Sequence, residues 1–177
     1  MPRLFSAIRL PAVVRTHLSL LRGEIGSARW VQAENMHITL RFFGDVSDAT
    51  ADELAGLLEA FDAEPFPIEI AGTGAFGGQG ETVIYAAVKP EPALDALQRA
   101  QERMARACGL PAPEHAFKPH VTLARARHAK RSAVARFLEE TGALRIAPFR
   151  VDEFALLSSR PGRGGGPYAE EVVVAFG

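Results

Sequence analysis

A four-residue phrase, His37-Ile38-Thr39-Leu40, returns as His120-Val121-Thr122-Leu123. Each copy alternates polar and apolar residues. As a strand it sets its histidine and threonine on one face and its apolar pair on the other. The apolar faces need a core behind them, while the polar faces each offer one imidazole and one hydroxyl. That pattern predicts a site built from two matching half-sites. Two imidazoles facing each other across a substrate act naturally as a general acid and a general base.

The rest of the chain alternates strands and helices. Residues 3–10 read as a strand ending at Pro11. Residues 12–25 suit a helix, with Val14, Leu18, Leu21 and Ile25 at spacings of three and four. A loop through Trp30 leads to the strand 36–43, closed by Gly44-Asp45. Ser47 or Asp48 can cap the next helix, and Thr50 with Glu53 matches a capping box. Strands at 66–71 and 82–88 flank a glycine-rich stretch, Gly72 to Gly80. Pro92 and Gly109 bracket a further helix. The second phrase occupies a strand at 120–125. Ser132 is expected to cap a helix stopped by Gly142, and residues 144–158 and 171–176 read as strands. Ser158 to Pro167 is expected to be a mobile loop. No linker divides the chain, so residues 1–177 read as one α+β domain with two lobes around a cleft.

Composition narrows the partners. The formal net charge is −1. A binder of long nucleic acid carries an excess of Lys and Arg to neutralise phosphates. Any nucleic-acid ligand is therefore expected to be short or held at one end. Cys108 is the one cysteine, which excludes an internal disulfide and fits a reducing compartment. The start, Met1 to Ile8, lacks the apolar core of a signal peptide, and no run approaches a membrane span. The cytoplasm is the expected location, with no membrane partner and a monomeric state.

His37 and His120 are the candidate catalytic pair, since an imidazole gives or takes a proton near neutrality. One would take a proton from an attacking water and the other would protonate a leaving oxygen. Thr39 and Thr122 share their faces and are suited to donate to phosphate oxygens. A zinc site normally needs three His, Cys or carboxylate ligands, and neither phrase has a second one at short spacing. No metal and no cofactor are expected. The string Gly72-Thr73-Gly74-Ala75-Phe76-Gly77 imitates a dinucleotide fingerprint, but a strand-like run follows it where a helix is required, so a hairpin is expected.

Arg125, Arg127, His128, Lys130 and Arg131 crowd the end of the second phrase. Most read as a solvated loop, but Arg125 stands close enough to His120 and Thr122 to pair with phosphate. Strict alternation turns it to the opposite face, unless a bulge re-aims it. Alternation alone would put Arg41 on the face of His37, so the two arginines compete. Tyr168 is available to stack on a base. Trp30, His17, His115 and Cys108 are expected in packing or on the surface.

At the two phrases the chain resembles the two-histidine (2H) phosphoesterases, most closely the bacterial and archaeal RNA 2′,3′-cyclic phosphodiesterases, first named 2′-5′ RNA ligases. The resemblance rests on Leu4 to Pro11, on Trp30-Val31 with Glu34 to Gly44, on Phe117 to Arg125, and on Val151 to Ser159 with Gly166 and Tyr168. It implies a bilobal fold of two antiparallel-rich sheets with outer helices around a central cleft and pseudo-twofold symmetry. It implies metal-independent opening of a 2′,3′-cyclic phosphate at an RNA 3′ end to a 2′-phosphate, with reverse 2′-5′ ligation open to the same site. His37 falls on the family's proton donor, His120 on its base, and Arg125 on its arginine, which favours Arg125 over Arg41. The expected partners are RNA 3′ ends or short oligonucleotides bearing the cyclic phosphate. A small cyclic nucleotide or ADP-ribose cyclic phosphate is the alternative substrate, and an RNA-end binding module with weak catalysis the alternative of another class.

Overall fold

The two phrases form neighbouring strands at the centre of one sheet. A computed structural model describes residues 1–77, 80–159 and 166–177. Its elements, in chain order, are β1 (Arg3–Arg9), α1 (Ala12–Ser19), β2 (Ala28–Trp30), β3 (His37–Asp45), α2 (Asp48–Glu59), β4 (Phe66–Gly77), β5 (Glu81–Val88), α3 (Pro92–Ala107), β6 (His120–Arg127), α4 (Arg131–Thr141), β7 (Arg145–Val151), β8 (Glu153–Ser159) and β9 (Ala169–Ala175). The sheet runs β7-β4-β5-β6-β3-β1-β8-β9, with β2 against the far end of β6, and every pairing is antiparallel.

β3 and β6 meet where Ile38 stands opposite Val121, the same position of each phrase. The pairing therefore has a local twofold relation. β1 flanks β3 on one side and β5 flanks β6 on the other. Each flanking strand leads through a helix to its phrase strand, β1-α1-β3 and β5-α3-β6. The two expected sheets are thus halves of a continuous one, joined through the phrases. Apart from β2, four of the described strands lie to either side of the join.

The apolar pairs of both phrases lie at 3% exposure or less. They share one cluster with Val14 and Leu18 of α1, Leu54 and Leu58 of α2, Leu94 and Leu97 of α3, and Phe137 of α4. A second, small cluster of Phe5, Ala7, Ala155 and Leu157, with Tyr168 against it, lies on alternate positions of β1 and β8. Burial by the helices on one face leaves the face of the histidines open to solvent on its polar positions.

Several local expectations shift. α1 stops at Ser19 rather than running to 25. Gly23 then sits against the ring of Phe137, where a Cβ would come within 2.6 Å of Cδ2, so the turn brings α4 close. Ile25 still reaches the core, from a loop. Ser47 caps α2, its Oγ accepting from Thr50 N–H at 3.1 Å, which leaves Thr50 and Glu53 inside the helix rather than as its box. α4 begins at Arg131, because Ala133 and Val134 N–H both reach Lys130 O, and Ser132 lies within its first turn instead of capping it. β4 continues through the glycines to Gly77 and pairs with β5 across the hairpin, with no helix following. Of the expected loop Ser158 to Pro167, residues 160–165 lie outside the described residues.

Candidate active site

Two matched irregularities decide what the central strands present. In the β1–β3 ladder, Ser6 pairs with Arg41 and Ala7 with Thr39, so Leu40 is an extra residue. In the β5–β6 ladder, Ile84 pairs with Ala124 and Tyr85 with Thr122, so Leu123 is extra. A bulge of this kind reverses the alternation beyond it. Buried residues fall at Ile38, Leu40, Arg41 and Phe43 in one strand and at Val121, Leu123, Ala124 and Ala126 in the other. The open face then carries His37, Thr39 and Phe42 from β3, and His120, Thr122 and Arg125 from β6.

Arg125 therefore joins the face of His120 through the bulge at Leu123. Arg41 leaves it. Its guanidinium turns to α3, with Nε 2.7 Å from Glu102 Oε2, while its other nitrogens donate to the carbonyls of Phe42 and Pro111. Arg41 is 8% exposed. Its competition for a phosphate-binding role, argued from alternation alone, fails because Leu40 takes an additional place in the strand.

Each imidazole is anchored in the same way. His37 Nδ1 lies 2.8 Å from Asn35 O, and His120 Nδ1 lies 2.7 Å from Lys118 O. A carbonyl only accepts, so each Nδ1 carries the proton and each Nε2 is left for chemistry. His37 Nε2 lies 3.1 Å from Thr39 Oγ1. Aromatic rings fix both imidazoles from the side. Phe5 and Tyr168 stand 5.1 and 5.4 Å from the His37 ring. Phe76 and Tyr85 stand 4.9 and 5.4 Å from the His120 ring and stack on each other at 4.2 Å. Lys118 Nζ lies 5.2 Å from the Phe76 ring centroid.

The electrostatics treat the two histidines alike. Burial holds His37 below the ordinary imidazole value, against the pull of the Asn35 carbonyl, and the charges of His120 and Arg125 lower it further. Burial also holds His120 low, against the Lys118 carbonyl, with Arg125 and Lys118 adding to the depression. Both imidazoles are neutral in the free protein near pH 7. Arg125 is close enough to act on both. It also lies 3.4 Å from Glu81 Oε2, half exposed, so its pairing is weak and exchangeable.

Of the residues singled out in the sequence, His37, Thr39, His120, Thr122 and Arg125 share one face. Tyr168 lies edge-on to His37 and Phe5. Trp30 packs against Phe137 at 5.5 Å. His17 and His115 are exposed and Cys108 is half-buried. Among the described residues, no three His, Cys, Asp or Glu side chains gather as a metal site. No helix among them is long and apolar enough to cross a membrane. Sequence reasoning missed Phe5, Phe76 and Tyr85 as supports of the imidazoles. Two aromatics on either side of a glycine-rich hairpin were the available signal.

The chain also has known relatives. The family profile described as the 2′-5′ RNA ligase superfamily matches residues 12–163. A protein of Aeropyrum pernix named RNA 2′,3′-cyclic phosphodiesterase is 34% identical over 144 residues, 73% of this chain and 75% of that one. One of the same name from Methanothermobacter thermautotrophicus is 29% identical over 165 residues, 89% of each chain. A crystal structure of E. coli LigT complexed with 3′-AMP superposes with a TM-score of 0.75 at 27% identity, over 99% of both chains.

Proposed function

This chain belongs to the 2′-5′ RNA ligase superfamily, and on that footing we propose that it hydrolyses the 2′,3′-cyclic phosphate at an RNA 3′ end to a 2′-phosphate. One observation carries the reading: two imidazoles, each with its Nδ1 proton tied to a carbonyl and its Nε2 unprotonated on the open face, flank a twofold join beside a guanidinium. That arrangement suits an in-line displacement at phosphorus.

In this reading His120 Nε2 takes a proton from water as the water oxygen bonds to phosphorus. The bond from phosphorus to the 3′ oxygen breaks, and protonated His37 gives its Nε2 proton to that oxygen. The 2′ oxygen keeps the phosphate. Arg125 pairs with the non-bridging oxygens, and the Thr39 and Thr122 hydroxyls donate to them. After turnover His120 holds the proton and His37 is neutral, and solvent exchange resets the pair.

The mechanism needs one imidazole charged, whereas both are neutral in the free protein. A cyclic phosphate monoanion resolves this. Set between the imidazoles, it favours the charged form of each by Coulomb attraction. It also meets the positive field of Arg125, which otherwise opposes protonation. Substrate thus brings the charge that lets His37 hold its proton. A 5′-hydroxyl in place of water would form a 2′-5′ linkage by the same steps, but the abundance of water makes hydrolysis dominate.

Residues 1–177 act as a single two-lobed unit, as a monomer and without a metal or cofactor. The net charge of −1 matches grip on an RNA end rather than on a long tract. The lone Cys108 suits the reducing cytoplasm as the place of action. The test is a short RNA ending in a 2′,3′-cyclic phosphate, incubated in chelator, with mass and position analysis of the product. Full activity and a 2′-phosphate are expected. Loss of turnover in chelator, or a 3′-phosphate product, overturns the reading.

A further inference from the structure

The open face holds one residue the proposed chemistry does not use. Phe42 follows His37 by five positions, as Arg125 follows His120, and each comes after a bulge at the same point of its strand. Phe42 is thus the twofold counterpart of Arg125. It is 46% exposed, while its neighbour Phe43 is 7% exposed in the core. A strand that buries Leu40, Arg41 and Phe43 leaves this ring in solvent. Opposite Phe42 in the β1–β3 ladder stands Phe5, whose ring touches His37 at 5.1 Å. The Arg3 guanidinium carbon lies 5.2 Å from the Phe42 centroid. Arg3 has no carboxylate partner among the described residues, unlike Arg9, Arg29, Arg41 and Arg125.

The Phe5 ring against His37 is thus faced across the ladder by an exposed aromatic, beside a cation with no carboxylate partner among the described residues. Phe42 stands five residues along β3 from His37, at most roughly 16 Å at about 3.3 Å per residue because the bulge at Leu40 shortens the span. A phenylalanine ring lacks the reach by which the Arg125 guanidinium returns to the reacting phosphate, so it is left for the chain next to the reacting nucleotide. We propose that Phe42 and Arg3 form an outer nucleotide subsite, in which a base upstream of the terminal nucleotide stacks on the Phe42 ring and Arg3 pairs with the phosphodiester next to it. Stacking on an aromatic tolerates any base, and a guanidinium beside it supplies the backbone contact. The subsite makes the lobes unequal: one bulge presents a cation to the reacting phosphate, the other a platform to the chain leading into it.

This inference rests on the cyclic phosphodiesterase reading, and the experiment separates the two. The value of kcat/KM is measured for wild type, Phe42→Ala, Phe42→Trp and Arg3→Ala on a nucleoside 2′,3′-cyclic phosphate and on a hexaribonucleotide ending in one. The ratio of oligonucleotide to mononucleotide kcat/KM is expected to fall about tenfold in Phe42→Ala, through KM, and to be retained in Phe42→Trp. Arg3→Ala lowers the same ratio and makes the oligonucleotide reaction less sensitive to salt. An unchanged ratio in Phe42→Ala and Arg3→Ala overturns the subsite. If the wild type turns over neither substrate, the phosphodiesterase reading fails. The subsite is then decided by affinity for a hexaribonucleotide 3′-phosphate relative to a nucleoside 3′-phosphate. A tenfold smaller preference in Phe42→Ala supports it, and an equal preference overturns it.

Discussion

Arg41 and Arg125 show what a single inserted residue decides. The alternation of the phrases already told which atoms His37, Thr39, His120 and Thr122 would present together. It put the wrong arginine beside them, because the extra places taken by Leu40 and Leu123 are set by the partner strands β1 and β5. No local pattern in either phrase encodes that register. The family resemblance supplied Arg125 where strand logic did not. Two predictions belong to single residues. Removing the Arg125 charge relieves a depression felt by both imidazoles, so Arg125→Ala is expected to raise the pKa of His37 and of His120 in an NMR titration. Turnover falls in the same variant, and Arg125→Lys restores the charge without the planar fork and so recovers it only in part. The second concerns stability. Both imidazoles lie below their ordinary value of 6.5 in the folded protein, so the unfolded chain binds protons first as pH falls. Their contribution to stability is complete above about pH 6.5 and is lost below it. Urea unfolding at pH 7.5 and pH 5 measures the loss, which shrinks when both histidines are replaced by glutamine.

The elements carry the site by contacts that run between strands and helices. Gly74 stands opposite Tyr85 in the β4–β5 hairpin, and a Cβ there would collide with the Tyr85 ring. The missing side chain lets Tyr85 lie across the hairpin, stack on Phe76 and lean on His120. The glycine-rich stretch is legible as a hairpin, but its use is not, since only the pairing shows which ring needs the space. Gly74→Ala is expected to displace Tyr85, lower kcat by about tenfold or more through misplacement of His120, and leave the His37 titration close to wild type. Arg41 and Glu102 tie β3 to α3 in a nearly buried pair, 8% and 13% exposed. Arg41→Ala leaves Glu102 paired with the exposed Arg106 alone, and chemical denaturation is expected to show a loss of about 1–3 kcal/mol. Helix ends were the least legible: α1 ends at Ser19, and the chain beyond it brings Gly23 against Phe137, a contact made more than a hundred residues along the chain.

Across the whole molecule, one antiparallel sheet carries two related halves and closes them at Ile38 and Val121. The repeated phrase announced the halves. It did not announce that β8 and β9, from the end of the chain, complete the half begun by β1 and β3. Partners so distant in sequence leave no periodic mark. The symmetry also leaves the protonation of the two histidines undecided, since burial and Arg125 lower both. Their division of labour is completed by the bound anion. Binding of a nucleoside 2′-phosphate is accordingly expected to take up protons and to tighten as pH falls from 8 to 6, which calorimetry in buffers of different ionisation enthalpy measures. The division itself is tested by the pH dependence of kcat/KM on a cyclic-phosphate RNA for the wild type, His37→Ala and His120→Ala. The wild type is expected to give a bell. Each variant is expected to lose on the order of a hundredfold or more, His37→Ala no longer declining on the alkaline side and His120→Ala no longer declining on the acid side. Either variant near the wild-type rate, or a full bell retained in both, would contradict the paired acid and base.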